Sequence, residues 1–259
     1  MNLRMEMLPN KEVSTLRELV RSAEFRRTVG LFVVEGSHLV QTALEQIPSK
    51  VQSVLFAPDS DSSELERMAL NAKVEIRGIS QKNAEKISVT KTTQGVFAVV
   101  QMALSTGETP REFVALDEIQ DPGNVGTIIR TALWFGVTRI IAGAGTADCY
   151  SPKVTRATQG AIFGVTIEVT DDLAERLRDL SVEGYRILGA SLSEGSTNIR
   201  RVLIDSKYVL VLGNEAQGLS PEVEDACDEL VRIDRIGRVE SLNVGVSAGI
   251  LLAKLTEVV

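Results

Sequence analysis

Apolar positions in "KEVSTLRELVRSAEFRRT" (11–28) fall at Val13, Leu16, Leu19, Val20 and Ala23, the three-and-four spacing of one helical face. "LFVVEG" (31–36) reads as a short strand, and "SHLVQTALEQ" opens a helix with Ser37 placed as its N-cap. "VQSVLFAP" (51–58) is a strand closed by proline. A helix over 61–72, a strand over 74–79, a short helix from Ser80 and a strand over 94–101 follow. This alternation predicts a small α/β unit with a largely parallel sheet. "ALSTGETPRE" (103–112) has no apolar period and collects turn formers, so it reads as a linker. Beyond it, strands are expected at 113–119, 138–144, 185–191, 208–214 and 230–236, with helices at about 123–135, 152–161, 172–183 and 241–256. The resulting division is a first domain over 1–104, a linker over 105–112 and a second α/β domain over 113–259.

Composition adds bounds. The chain has 259 residues, 44% hydrophobic and 24% charged, which is ordinary globular usage and enough for two cores. No apolar run approaches the roughly 20 residues of a membrane span, and residues 1–20 carry no signal-like apolar segment. Cys149 and Cys227 stand apart from each other and from any histidine, which argues against a disulfide framework or a zinc site and for a cytoplasmic setting. His38 is the sole histidine, so a histidine triad and a multi-histidine metal site are both excluded. There is no GxGxxG after a strand and no P-loop. Net charge is -7, but residues 1–110 hold 13 basic and 13 acidic side chains while 111–259 hold 15 and 22. The first part is therefore the better suited to a polyanion.

Open α/β sheets bind ligands beyond the carboxyl ends of their strands, and three such ends collect unusual residues. After strand 113–119, Asn124 stands at a helix entrance. Arg130 follows among Ile128, Ile129, Ala132 and Leu133, where its fork needs a carboxylate, phosphate or carbonyl, while Trp134 reads as core. "VLVLGNEAQGLS" stops at Gly213 and continues through Asn214, Glu215, Gln217 and Gly218. "RVESLNVGVSAGILL" (238–252) places Glu240, Ser241 and Asn243 before an apolar helix that Ser241 can cap. Gly245, Ser247, Ala248 and Gly249 on that helix allow close approach of another backbone. An ordinary capped turn and a ligand site both fit these residues.

Taken together, the three strand ends resemble the ordered motifs of the SpoU family of RNA 2'-O-methyltransferases, within the SPOUT superfamily. "DPGNVGTIIRTALWFGV" with the following "YSPKVTRATQGAIF" (150–163) looks like the first motif, "LVLGNEAQGLS" like the second and "RIDRIGRVESLNVGVSAGILL" like the third. Residues 11–104, with "RRTVGLFVVEGSHLVQTAL", are more loosely similar to the family's N-terminal substrate-binding domain. The resemblance implies a C-terminal α/β SPOUT domain with a parallel sheet and a trefoil knot, one of the rare exceptions to unknotted topology. It implies S-adenosylmethionine as cofactor, held by backbone near Gly213, Ile233 and Leu242 with Ala190 as a wall. It implies a homodimer with sites at the subunit interface, toward which the small-residue face of helix 241–256 would turn.

The family's functional residues fall on Asn124, Arg130, Glu215, Ser241 and Asn243. Arginine keeps its proton below a pKa of about 12, so Arg130 is better suited to stabilising a developing alkoxide and gripping a phosphate than to acting as a base. Asn124 and Glu215 would orient Arg130 and the ribose, and Ser241 and Asn243 would hold the loop and the methionine end of the cofactor. Transfer from a sulfonium is an in-line displacement in which positioning supplies much of the rate, with no metal required. One departure is Ile233-Asp234-Arg235, where the family usually has Ile-Pro and an apolar residue, so two charges enter near the expected adenine pocket. The substrate implied is RNA, ribosomal RNA before tRNA, with Arg21, Arg26 and Arg27 as a basic group for phosphates. The alternatives are the same chemistry on tRNA and an RNA-binding assembly factor without catalysis, the second favoured by Asp234-Arg235.

Overall fold

The computed structural model describes residues 5–58, 60, 63–103, 110–204 and 207–257. The chain divides into two units, Met1–Ala103 with Tyr150–Phe163 and Leu104–Cys149 with Gly164–Val259. Residues 105–109 of the expected linker lie outside the described residues.

In the first unit β1 (Glu6–Met7), α1 (Asn10–Arg21), α2 (Ala23–Val29), β2 (Leu31–Glu35), α3 (Ser37–Gln46), β3 (Val51–Phe56), α4 (Ser63–Asn71), β4 (Glu75–Gly78), α5 (Gln81–Ile87) and β5 (Val96–Gln101) follow in order. The single helix expected over 11–28 is broken at Ser22, which takes an extended conformation and caps α2 by accepting from Phe25 N at 3.1 Å. Arg26 closes the corner. Its guanidinium donates to the carbonyls of Leu19 and Val20 at the end of α1, and the residue is 3% exposed. Arg26 therefore leaves the basic group expected for RNA, while Arg21 and Arg27 remain exposed.

The sheet order is β1-β4-β3-β5-β2. It is mixed, where a largely parallel sheet was expected. β5 runs antiparallel to both β2 and β3, while β3 and β1 are parallel to β4. The seven-residue α5 is too short to carry the chain back across the sheet, so β5 starts at the edge where β3 ends, with Phe56 facing Val96. Leu16, Leu19, Val33, Leu55, Ile79 and Phe97 form the core between this sheet and its helices.

The remainder comprises β6 (Glu112–Leu116), α6 (Pro122–Trp134), β7 (Arg139–Ala142), α7 (Pro152–Ala157), β8 (Thr166–Val169), α8 (Leu173–Val182), β9 (Arg186–Ala190), β10 (Thr197–Asn198), β11 (Tyr208–Leu212), α9 (Pro221–Asp225), β12 (Glu229–Arg232) and α10 (Val244–Leu255). All but α7 belong to the second unit. Its seven strands are parallel, in the order β10-β12-β9-β11-β6-β7-β8. Phe113, Ala115, Val209 and Val211 alternate onto the face covered by α8 and α9. Val114, Leu116, Leu210 and Leu212, equally buried, take the opposite face, and α10 packs there against β11. Burial on both faces is why these strands read as unbroken apolar runs. Among the described residues no helix is long and apolar enough to cross a membrane.

Arg26→Ala leaves the buried carbonyl of Leu19 and the part-buried carbonyl of Val20 without their donor. It should lower the unfolding free energy by about 1–3 kcal/mol in urea titration. Unchanged stability would remove Arg26 from the corner.

Candidate active site

β12, β9 and β11 lie side by side and run the same way, so their carboxyl ends share one edge. Ala190 ends β9, Gly213 follows β11 and Ile233 follows β12, which brings three of the four expected cofactor residues to this edge, all half-buried. The loops leaving it carry exposed apolar side chains, Leu192, Ile236 and Leu242, the last 45% exposed. Apolar surface of this kind beside free strand-end backbone suits the purine and ribose of a nucleoside-type cofactor.

Gly213 is required by space. A side chain there would stand 2.4 Å from the backbone of Gly218, because the loop folds back and pairs Asn214 with Gly218. Asn214 shapes this loop. Its Oδ1 accepts from Ala216 N and Gln217 N, and its Nδ2 donates to Glu118 O at 3.0 Å. Asn214 was not among the expected site residues, although a Gly-Asn pair directly after an apolar strand, with a further glycine four residues after the Asn, is a recognisable turn signal.

That turn presents Glu215 to the other two loops. Asn124 Nδ2 donates to Glu215 Oε1 at 2.5 Å, and Asn243 Nδ2 donates to Asn124 Oδ1 at 2.9 Å. The three loops thus meet in one run of side-chain hydrogen bonds. Asn124 is itself fixed in the first turn of α6, where Asp121 caps the helix by accepting from Asn124 N at 2.9 Å. Asn243 has two tasks, because its Oδ1 also caps α10, accepting from Gly245 N and Val246 N. The cap is therefore Asn243 and not the expected Ser241, which is exposed two residues upstream of the cap.

α10 packs on α6 of the same chain. A side chain at Gly245 would stand 2.9 Å from Thr127 Cγ2, and one at Gly249 would lie 3.7 Å from Thr131 Cγ2. Gly245 and Gly249 thus meet a helix of their own chain, and the buried Ala248 offers nothing to a partner. The outer surfaces of these two helices are apolar instead, with Val246 and Ile250 exposed and Trp134, expected in the core, 84% exposed. Arg130 is exposed on α6 between Thr127 and Trp134, and no hydrogen bond or ion pair holds its side chain among the described residues. Within one chain it does not join Asn124 and Glu215.

The charges at the departure from the family pattern have local partners. Asp234 accepts from Asn198 Nδ2 and from Arg232 Nε, the latter at 3.2 Å, while Arg235 Nη1 donates to Val239 O. The two cysteines offer no nucleophile, since burial pushes both thiols up from 9.0 to about 12.

Fold and site together define an α/β domain whose strand-end loops converge on an Asn–Asn–Glu run beside an apolar rim, accompanied by a smaller α/β unit. Residues 111–253 match the SpoU rRNA methylase family, and residues 10–98 match an MRM3-like substrate-binding domain. The chain belongs to the SpoU rRNA methylase family. It is 31% identical over 96% of its length to 98% of a 23S rRNA (guanosine(2553)-2'-O)-methyltransferase of Bacillus subtilis. It is 30% identical over 86% of its length to 94% of a 23S rRNA (guanosine-2'-O-)-methyltransferase of a Burkholderia species. The crystal structure of an AdoMet-bound rRNA methyltransferase from Sinorhizobium meliloti superposes with a TM-score of 0.79 at 28% identity, covering 96% of this chain and 95% of that one.

Asn243→Ala removes both the cap and the bond to Asn124. Loss of about 0.5–2 kcal/mol of stability is expected from the cap alone in thermal or urea unfolding. A variant as stable as the parent would contradict the capping role.

Proposed function

We propose that this chain transfers a methyl group from S-adenosylmethionine to a ribose 2'-hydroxyl of ribosomal RNA. The observation that carries the reading is the Asn243–Asn124–Glu215 run at the edge where Ala190, Gly213 and Ile233 end their strands. When bound, the cofactor supplies an electrophilic methyl on a sulfonium. Backbone at Gly213, Ile233 and Leu242 would hold it, with Ala190 as a wall and Asn243 and Ser241 near its methionine end. Similarity to proteins that carry 23S rRNA methyltransferase names favours ribosomal RNA over tRNA.

The chain's own groups do three things in this reading. Asn124 and Glu215 fix the loops and the ribose. Arg130 steadies the alkoxide that develops as the 2'-hydroxyl shares its proton with the neighbouring substrate phosphate, which Arg130 also grips. Arg130 performs this in a homodimer, delivered to the partner's site. Its side chain has no partner among the described residues of its own chain, and it stands on a surface made apolar by Trp134, Val246 and Ile250. The trefoil threading belongs to the same proposal, as does work in the cytoplasm. Arg21 and Arg27 remain candidate phosphate contacts.

A second reading, an RNA-binding factor without catalysis, is favoured by Asp234 and Arg235. Calorimetry separates the two, because absence of cofactor binding at millimolar concentration would sink the enzyme. Arg130→Ala should abolish ribose methylation of rRNA, read by mapping 2'-O-methyl marks, while the dimer stays intact in light scattering. Mixing it with a Glu215→Ala partner should regain activity through subunit exchange. Wild-type turnover by Arg130→Ala alone would remove it from the mechanism.

A further inference from the structure

Residues 150–163 belong by sequence to the methylase stretch but fold with the first unit. Tyr150 and Phe163 set their rings on Phe32 of β2, at 4.9 and 6.5 Å between centroids. Gly160, at a φ of 95°, brings backbone against Thr42 of α3, where a side chain would come within 2.8 Å. Gln159, at a φ of 51°, shares this left-handed turn. The segment is thereby fixed beside the start of α3 and encloses a groove of about 620 Å³, lined by Gly36, Ser37, His38, Gln94, Arg156 and Gln159 among others.

The groove's side chains have hydrogen-bonding capacity left over. Gln94 spends its carbonyl oxygen on Ser37 N at 2.9 Å, which leaves its amide as a donor. Ser37 is thus inside the helix and receives a cap, where it was expected to provide one. Gln159 spends its amide on Arg156 O at 3.0 Å, which leaves its carbonyl as an acceptor. Arg156 is exposed, and its guanidinium has no carboxylate partner among the described residues. Glu35 is the one acid in the wall. Its carboxylate is already occupied, Oε1 by the hydroxyls of Ser88 and Thr90 and Oε2 by Val89 N.

We propose that this groove binds one nucleotide of single-stranded RNA, its phosphate on Arg156 and its base edge between Gln94 and Gln159. This rests on the RNA substrate proposed above and adds a place of grip outside the methyl-transfer residues. A guanidinium fork matches a phosphate, and a free amide donor with a free carbonyl acceptor matches the edge of an unpaired base. The groove is open, and His38, Gln94, Arg156 and Gln159 are all exposed, as suits a segment of a longer chain. The groove draws on both matched regions, with Gln94 and α3 inside 10–98 and Arg156 and Gln159 inside 111–253.

The test is binding of a short fluorescein-labelled single-stranded RNA of mixed sequence, by anisotropy across a series of salt concentrations, to the full chain. Arg156→Ala should weaken binding about tenfold and lower the slope of log affinity against log salt by about one. Arg156→Lys should keep the slope but not the full affinity, since lysine lacks the fork. Gln159→Ala should weaken binding and leave the slope unchanged. Arg156 and Gln159 are exposed, and an unchanged melting temperature verifies the fold of each variant. Arg156→Ala with parental affinity and slope overturns the groove, and if the parent still binds RNA and cofactor the methyltransferase reading survives. A parent that binds neither overturns that reading and the groove with it.

Discussion

The hydrogen-bonded run from Asn243 through Asn124 to Glu215 is the contact on which the site depends. It spans sequence separations of 119 and 91 residues and ties together loops from three different strand ends. Loops of this kind have little apolar area of their own to bury, so side-chain bonds must set their positions. The run is possible only because β6, β11 and β12 stand in one parallel sheet and release their chains at the same edge.

Packing beneath the run fixes its ends. Gly245 lets α10 descend onto Thr127, which holds Asn243 within reach of Asn124, and Asp121 holds Asn124 from the other side. Asn243 is thus both the cap of a core helix and the first donor of the site. Helix start and site geometry cannot vary independently, which is a reason for an Asn at this position where Ser would suffice as a cap alone. The outer face of α6 and α10, with Trp134, Val246 and Ile250, is left for a different task.

The parallel ladders were legible because strands buried on both faces are continuous apolar runs, as in residues 208–212. β8 escaped notice because it is a half-exposed edge strand whose Glu168 pairs with Arg176, so it carries no such run. The strand expected over 113–119 ran past its end because burial continues where the ladder stops, as at Ile119, whereas at 233–236 the alternating apolar residues end in an exposed Ile236. The break at Ser22 was hidden because apolar spacing persists through the corner that Arg26 closes. Residue types at the site pointed to Asn124, Glu215 and Asn243, which the fold brings together. Spacing alone could not show that Asn243 outcompetes Ser241 for the cap, or that Arg130 stands apart from both Asn124 and Glu215.

A double-mutant cycle on Asn124 and Asn243, read as S-adenosylmethionine affinity by calorimetry, tests the central claim most directly. If the two amides act as one unit, the double alanine variant loses less than the sum of the single losses, with a coupling of about 1 kcal/mol or more. Losses that add to within about 0.5 kcal/mol would mean that the two side chains act independently and that the run does not hold the site together.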